Sequence, residues 1–225
     1  MLKTVDGGQR WSALPLGLDS QAKLLFDVVF PSDATTGFVV GELGTILKTQ
    51  DGGATWQAQV SGSTATLRAA SFQPDGLSGH VVGSEGTILA TVDGGETWAV
   101  QTSGTTLRLR DVQFPVDGMN GFVIGSDATL LTTSDGGATW AAQAVPGGEI
   151  LYALEFLDDD RGFIAAENGT LLTTQDTGLT WGLAPALGPK VDFRALSFPP
   201  GSQTAFLVGD DEVLLSSADR GDTWN

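Results

Sequence analysis

Six segments of this chain repeat one motif, T-x-D-x-G-x-T-W or a close variant, and together they hold every tryptophan it has. They run TVDGGQRW (Asp6 to Trp11), TQDGGATW (Asp51 to Trp56), TVDGGETW (Asp93 to Trp98), TSDGGATW (Asp135 to Trp140), TQDTGLTW (Asp176 to Trp181) and SADRGDTW (Asp219 to Trp224). A recurrence of about 42 residues marks a repeat architecture, in which each unit buries its apolar surface against its neighbours.

Each unit carries three further runs. The first reads LLFDVVF, LRAASFQ, LRDVQFP, LYALEFL and FRALSFP, and its phenylalanines Phe30, Phe72, Phe114, Phe156 and Phe198 fall 42 residues apart. The second reads GFVVGE, GHVVGS, GFVIGS, GFIAAE and AFLVGD; the third reads GTILKT, GTILAT, ATLLTT, GTLLTT and EVLLSS. A short fourth run, such as TWQAQV, follows the box. Short runs rich in Val, Ile, Leu, Phe and Thr, separated by Gly, Asp, Asn, Ser and Pro, read as strands and turns. No segment keeps a 3.6-residue apolar period, so almost no helix is expected. Four strands per repeat predict an all-β chain: a β-propeller of four-stranded antiparallel blades, with five full repeats and an N-terminal half blade.

The box falls at the turn between the third and fourth strands and reads as a fold staple. Its Asp is expected to accept amide hydrogen bonds from two residues on, its glycine to supply positive φ, and its Trp to close an apolar plug behind the turn. TQDTGLTW and SADRGDTW replace the first Gly of DGG and keep the second, so the second is the position the turn requires.

The chain's 225 residues suffice for one closed propeller or part of a larger one. As a single domain it divides into a half blade at 1–18 and repeats at 19–60, 61–102, 103–144, 145–186 and 187–225. The surplus N-terminal box leaves two closures open. Either the WSALPL run supplies the fourth strand of the last blade and closes a five-bladed ring, or the chain is an excerpt of a protein with six or more blades. Duplication of the box favours the second. A net charge of −16 argues against nucleic acid and anionic membrane surfaces as partners. No apolar run is long enough for a transmembrane helix, and MLKTVDGG lacks the apolar core of a signal peptide. The absence of cysteine excludes disulfides, thiol catalysis and cysteine-based metal sites.

The combination LRDVQF, GFVIGS and TLLTTSDGGATW resembles the photosystem II stability/assembly factor family, a branch of the Asp-box (BNR repeat) β-propellers, over essentially the whole chain. The box alone is also found in sialidases, xyloglucanases and sorting receptors. The resemblance implies a non-catalytic, extracytoplasmic protein with no cofactor, whose partner is a protein or peptide client contacted through an arginine-rich patch.

The first strand supplies the one patterned candidate site. Four residues before each core phenylalanine stand Phe26, Arg68, Arg110, Tyr152 and Arg194, and Arg108 is a further basic residue nearby. Four is an even number, so these side chains are expected on the Phe face, about 13 Å away at the strand start, ringing one mouth of the channel. Arg68, Arg110 and Arg194 fit the family's arginine pattern; Phe26 and Tyr152 depart from it. The turns between second and third strands bring Glu42, Glu85, Asp127, Glu167, Asp210 and Asp211 to the same mouth. Two roles therefore stay open for the arginines: a docking site for a client, or ion pairs with turn acids that tie blades together.

Enzyme readings find less. A sialidase needs a tyrosine beside a glutamate, but Glu155 lies three residues beyond Tyr152 and is expected on the opposite face. A glycosidase cleft needs aromatic subsites, and all the tryptophans lie in boxes. Carbohydrate remains the alternative ligand, and a structural module of a surface protein the third reading. His80, the single histidine, takes a strand position held elsewhere by phenylalanine and reads as core filler. No metal site is expected; Asp158, Asp159 and Asp160, like Asp210, Asp211 and Glu212, read as solvated turn acids.

Overall fold

The computed structural model describes residues 1–14, 24–115, 118–147, 150–188, 190–199 and 201–225. The expected boundary at 18/19 and the last two residues of WSALPL lie outside them. Antiparallel sheets follow one another along the chain. Blade 1 comprises Leu25–Val29, Gly37–Gly41, Ile46–Thr49 and Gln57–Gln59; blade 2, Leu67–Phe72, Gly79–Gly83, Ile88–Thr91 and Ala99–Gln101. Blade 3 comprises Leu109–Gln113, Gly121–Gly125, Leu130–Thr133 and Ala141–Gln143; blade 4, Leu151–Phe156, Gly162–Ala166, Leu171–Thr174 and Gly182–Leu183. Blade 5 has Phe193–Ser197, Ala205–Gly209 and Leu214–Ser217. Among the described residues the helical content is two single 3-10 turns, Ser84–Gly86 and Glu167–Gly169. The first strands of consecutive blades pack side by side, which makes them the innermost strands of a propeller.

Among the described residues, the N-terminal segment does not pair with blade 5. Ser12–Ala13 pairs with Leu2–Lys3 in a sheet of its own, and Asn225 rather than WSALPL exchanges backbone hydrogen bonds with Ser216 on the third strand of blade 5. Lys3 Nζ donates to the Gly52 carbonyl, so the half blade lies beside blade 1, in sequence order.

One aromatic arrangement recurs at each blade junction. The ring on the second strand of one blade stacks on the inner-strand phenylalanine of the next: Phe38 on Phe72 at 4.3 Å, His80 on Phe114 at 4.6 Å, and Phe122 on Phe156 and Phe163 on Phe198 at 4.8 Å. The box tryptophan of that next blade meets both rings edge-on: Trp98, Trp140, Trp181 and Trp224 in turn. Stacked and T-shaped contacts of this kind each contribute about 0.5–1.5 kcal/mol beyond the area they bury. The tryptophan is therefore a bolt between blades, where sequence alone suggested an apolar plug behind the turn. Phe38, His80, Phe122 and Phe163 are at most 3% exposed, whereas Phe206, with no blade packed over it, is 42% exposed. His80 is indeed core filler: burial holds its imidazole down at about 4, and it takes the stacking place of a phenylalanine.

Within the box the aspartate reaches four residues on, not two. Asp51 Oδ1 accepts from the Thr55 amide at 2.9 Å and Oδ2 from the Thr55 hydroxyl at 2.7 Å, while the Thr49 hydroxyl donates to Asp51 and accepts from the Gly53 amide. Hydrogen bonds to the ionised form hold Asp51, Asp93, Asp135 and Asp219 at about 2. Both DGG positions take positive φ, and Thr177 and Arg220 adopt it at the first position with φ of 61° and 63°. What sets the second glycine apart is contact. A Cβ on Gly95, Gly137, Gly178 or Gly221 would overlap the ring of Phe38, His80, Phe122 or Phe163 on the preceding blade. Gly95→Ala should therefore destabilise the fold by about 2–5 kcal/mol, from positive-φ strain plus overpacking, and Gly94→Ala by only about 1–2 kcal/mol. Urea denaturation of the two variants checks the difference; equal losses would reject the ring-over-glycine account.

Candidate functional site

Every inner strand carries a register irregularity at one residue. Pairing skips from Leu25 to Asp27, Leu67 to Ala69, Leu109 to Asp111, Leu151 to Ala153 and Phe193 to Ala195. The skipped residues are Phe26, Arg68, Arg110, Tyr152 and Arg194. A bulge residue breaks the alternation, so the even-number argument that placed these side chains on the Phe face fails, as does the same count applied to Tyr152 and Glu155. The bulges re-aim the five side chains into one collar.

Around the collar, each arginine lies over an aromatic ring of a neighbouring blade. The Arg68 guanidinium lies 4.8 Å from the Phe26 ring centre, Arg110 lies 4.8 Å from Tyr152, and Arg194 lies 4.2 Å from the same ring. Tyr152 is thus held between two arginines from the blades on either side, each contact a cation–π attraction. Arg110 and Arg194 belong to blades 3 and 5 yet lie within Coulombic reach of one another, so the collar converges on the axis. Four of the chain's seven arginines are gathered here, in a protein of net charge −16.

The collar is not uniform. Arg194 is neutralised: its Nε and Nη2 donate to Asp210 at 2.8 and 2.6 Å, and Nη2 lies 3.0 Å from Asp192. Asp210 holds the Arg194 guanidinium well above its ordinary value. Asp192 also accepts the Tyr152 hydroxyl at 3.0 Å and the Asn168 amide at 3.1 Å. Arg68 and Arg110 form no ion pair among the described residues, and the Nε of each is buried without a hydrogen-bond partner. Burial, and then the charge of exposed Arg108, depress Arg68; burial comes first for Arg110 too. Among the described residues, Arg194 is the one collar arginine paired with a turn acid, Asp210, and that pair lies within blade 5 rather than between blades. Glu42 instead accepts the Leu24 amide.

Beneath the collar lies a layer that sequence reasoning missed. Innermost strands expose an edge whose amides need acceptors. Side chains of the preceding blade supply them: Asp27 accepts from Ala70 at 2.9 Å, Ser71 from Phe114 at 3.3 Å, Asp111 from Leu154 at 2.8 Å and Gln113 from Phe156 at 2.8 Å. Asp27, Asp111 and Glu155 are half-buried, and burial raises all three carboxyls above the usual range, Asp111 and Glu155 to about 7. Asp27 adds to the shift of Asp111, and Asp111 to that of Glu155. Asp111 has both oxygens committed, to Val112 and Leu154 amides, which suits a clamp rather than a nucleophile. The acids stand in DVVF, DVQF and LEF, visible in the sequence; their convergence across blades is not.

Repeated antiparallel sheets that pack through their innermost strands and carry the box at each turn define an Asp-box β-propeller. A family model described as photosynthesis system II assembly factor YCF48 matches residues 3–102 and 140–225, and the chain belongs to this family. A search among curated proteins gave no match. Among solved structures, "YCF48 bound to D1 peptide" is 20% identical with a TM-score of 0.52, covering 95% of this chain and 86% of that one. YCF48 from Cyanidioschyzon merolae is 16% identical, covering 95% and 99%, with a TM-score of 0.49. An ancestral GH74 enzyme is 13% identical with a TM-score of 0.74, covering 94% of this chain and 32% of that one. The likenesses to the peptide-bound YCF48 and to the GH74 enzyme establish the propeller fold.

The buried acids predict a pH dependence. Because folding raises their proton affinity, their contribution to stability is fully present below the ordinary carboxylate range and is lost as pH rises through about 7. His80, held at about 4, acts oppositely, favouring folding as pH rises from about 4 to its ordinary 6.5. From about pH 6.5 to pH 8 the acids therefore act without it, and the melting temperature should fall. Glu155→Gln should flatten that fall. An unchanged slope in the variant would show that Glu155 does not titrate there.

Proposed function

We propose that this chain is a non-catalytic protein-binding scaffold that holds a client segment at the arginine-bearing mouth of its channel. The observation that carries this reading is the uncompensated half of the collar, where Arg68, Arg108 and Arg110 gather without an ion pair among the described residues. A carboxylate-bearing peptide segment supplies the missing partner, since guanidinium forks recognise planar carboxylates while stacking on aromatic rings. Phe26, 40% exposed beside Arg68, offers apolar contact to the same segment. Membership of an assembly-factor family supports a protein client and an extracytoplasmic setting, and a peptide complex is known for a structurally similar YCF48.

A carbohydrate ligand has less support. Clefts of about 320 to 350 Å³ recur between blades on the box side. Their polar groups are largely engaged, however: Trp140 Nε1 donates to Gln101, and Gln143 donates to the Gly178 and Leu179 carbonyls.

The test is fluorescence anisotropy with an acidic peptide, comparing wild type, an Arg68→Glu/Arg110→Glu variant and Arg194→Glu, each first shown to be folded. The double variant should weaken binding about tenfold or more, since hydrogen bonds to charged groups contribute about 1.5–3 kcal/mol each. Arg194→Glu should cost less, because that arginine is already paired. Equal affinities in all three proteins would move the client site away from the mouth.

A further inference from the structure

We infer that anion binding at the collar is coupled to proton uptake by the carboxylate layer seated beneath it, so that the mouth tightens on its client as the surroundings acidify. This rests on the mouth being the client site, and adds how that site is regulated.

The geometry stacks two charge layers on one axis. Arg68 and Arg110 occupy bulge positions, and Asp27 and Asp111 are the residues immediately after the bulge in their strands; Glu155 lies three residues beyond Tyr152. Asp27 and Asp111 are two blades apart and still within Coulombic reach of each other, as Arg110 and Arg194 are in the collar above. Both layers therefore converge on the same space. Asp27 and Asp111 cannot swing away, because each is fixed by amides on its own and the next blade. The titratable groups on the elements packed against blades 3 and 4 here are Arg68 and His80 of blade 2, Glu85 in the turn after it, Tyr152 and Glu155 of blade 4, and Arg194 of blade 5. His80 is neutral near neutrality, and burial together with Asp192 raises the Tyr152 phenol above its ordinary value. The arginines stay charged.

The consequence follows from Coulomb's law in a poorly screened interior. With the layer ionised, its negative charge offsets the collar and repels an incoming carboxylate. With the layer protonated, the field of Arg68 and Arg110 is no longer opposed from beneath. Linkage is reciprocal, so an anion arriving at the collar raises the proton affinity of Asp111 and Glu155 in turn.

The probe is a fluorescent hexaglutamate peptide, whose carboxylates stay ionised from about pH 6 to pH 8. Its affinity is measured across that range at constant ionic strength, for wild type, Glu155→Gln and Asp111→Asn/Glu155→Gln. Glu155 accepts no hydrogen bond among the described residues, so Glu155→Gln is the variant least disturbed in fold; circular dichroism at each pH confirms that all are folded. Wild type should bind about fivefold or more tightly at the acid end, in the range of ordinary site-to-site coupling. Glu155→Gln should show a shallower profile, and the double variant should bind at the tight level throughout. A flat wild-type profile matching the double variant overturns the coupling and leaves the mouth standing as a client site. Absence of binding by every protein at every pH overturns both.

Discussion

The packing of an aromatic ring from one blade over a glycine of the next is the contact on which the rest of this structure depends. Each such ring is enclosed by the following blade's phenylalanine, tryptophan and box glycine, so no blade is finished until its neighbour is in place. This explains why the box is repeated so faithfully although the side chains of its aspartate and threonines bond only within the box. Their hydrogen bonds hold the turn in the shape that offers the glycine, and the tryptophan closes the side of the ring. The sheets supply strands; the junctions make them a propeller.

A second constraint acts at the axis. Innermost strands lack a partner on one edge, and their amides are satisfied by side chains reaching across from the previous blade. That need places carboxylates in a half-buried position where nothing neutralises them, and it accounts for their raised proton affinity. The bulge one residue earlier lifts a different side chain out of the strand's alternation and toward the mouth. One irregularity thus separates two functions along a strand: Asp111 clamps blades together while Arg110, its neighbour in sequence, stays available at the surface of the channel.

The sequence disclosed the fold because its signals are local and repeated: the Phe spacing, the box and the strand-turn alternation each occur within one repeat. It singled out the collar positions for the same reason, since Arg68, Arg110, Tyr152 and Arg194 recur at one repeat position. It misjudged how they get there, because a bulge leaves no mark in residue type and parity counts silently assume a regular strand. Asp192, which organises Tyr152 and Arg194, stands two residues before the bulge, at the repeat position held by Arg108 in blade 3; nothing in its own segment sets it apart. The coupling between Asp27 and Asp111 was out of reach altogether, because it spans blades 1 and 3 and exists only once the inner strands curve around a common axis. The need for the second box glycine was legible, but its cause lay in the adjacent repeat.

The junction's dependence on only two consecutive repeats has a bearing on how such proteins change in length. Phe163 follows Phe156 by 7 positions, where Phe122 follows Phe114 by 8, yet the rings of blade 4 still meet those of blades 3 and 5. Single-residue drift is absorbed in a surface loop and leaves the stack undisturbed. Loss or gain of an entire repeat likewise leaves each surviving ring facing a glycine, whereas a cut within a repeat strands a ring without its cover. Lineages built on this junction are therefore free to alter the circumference of the ring in whole-blade steps, and are held back from fractional ones.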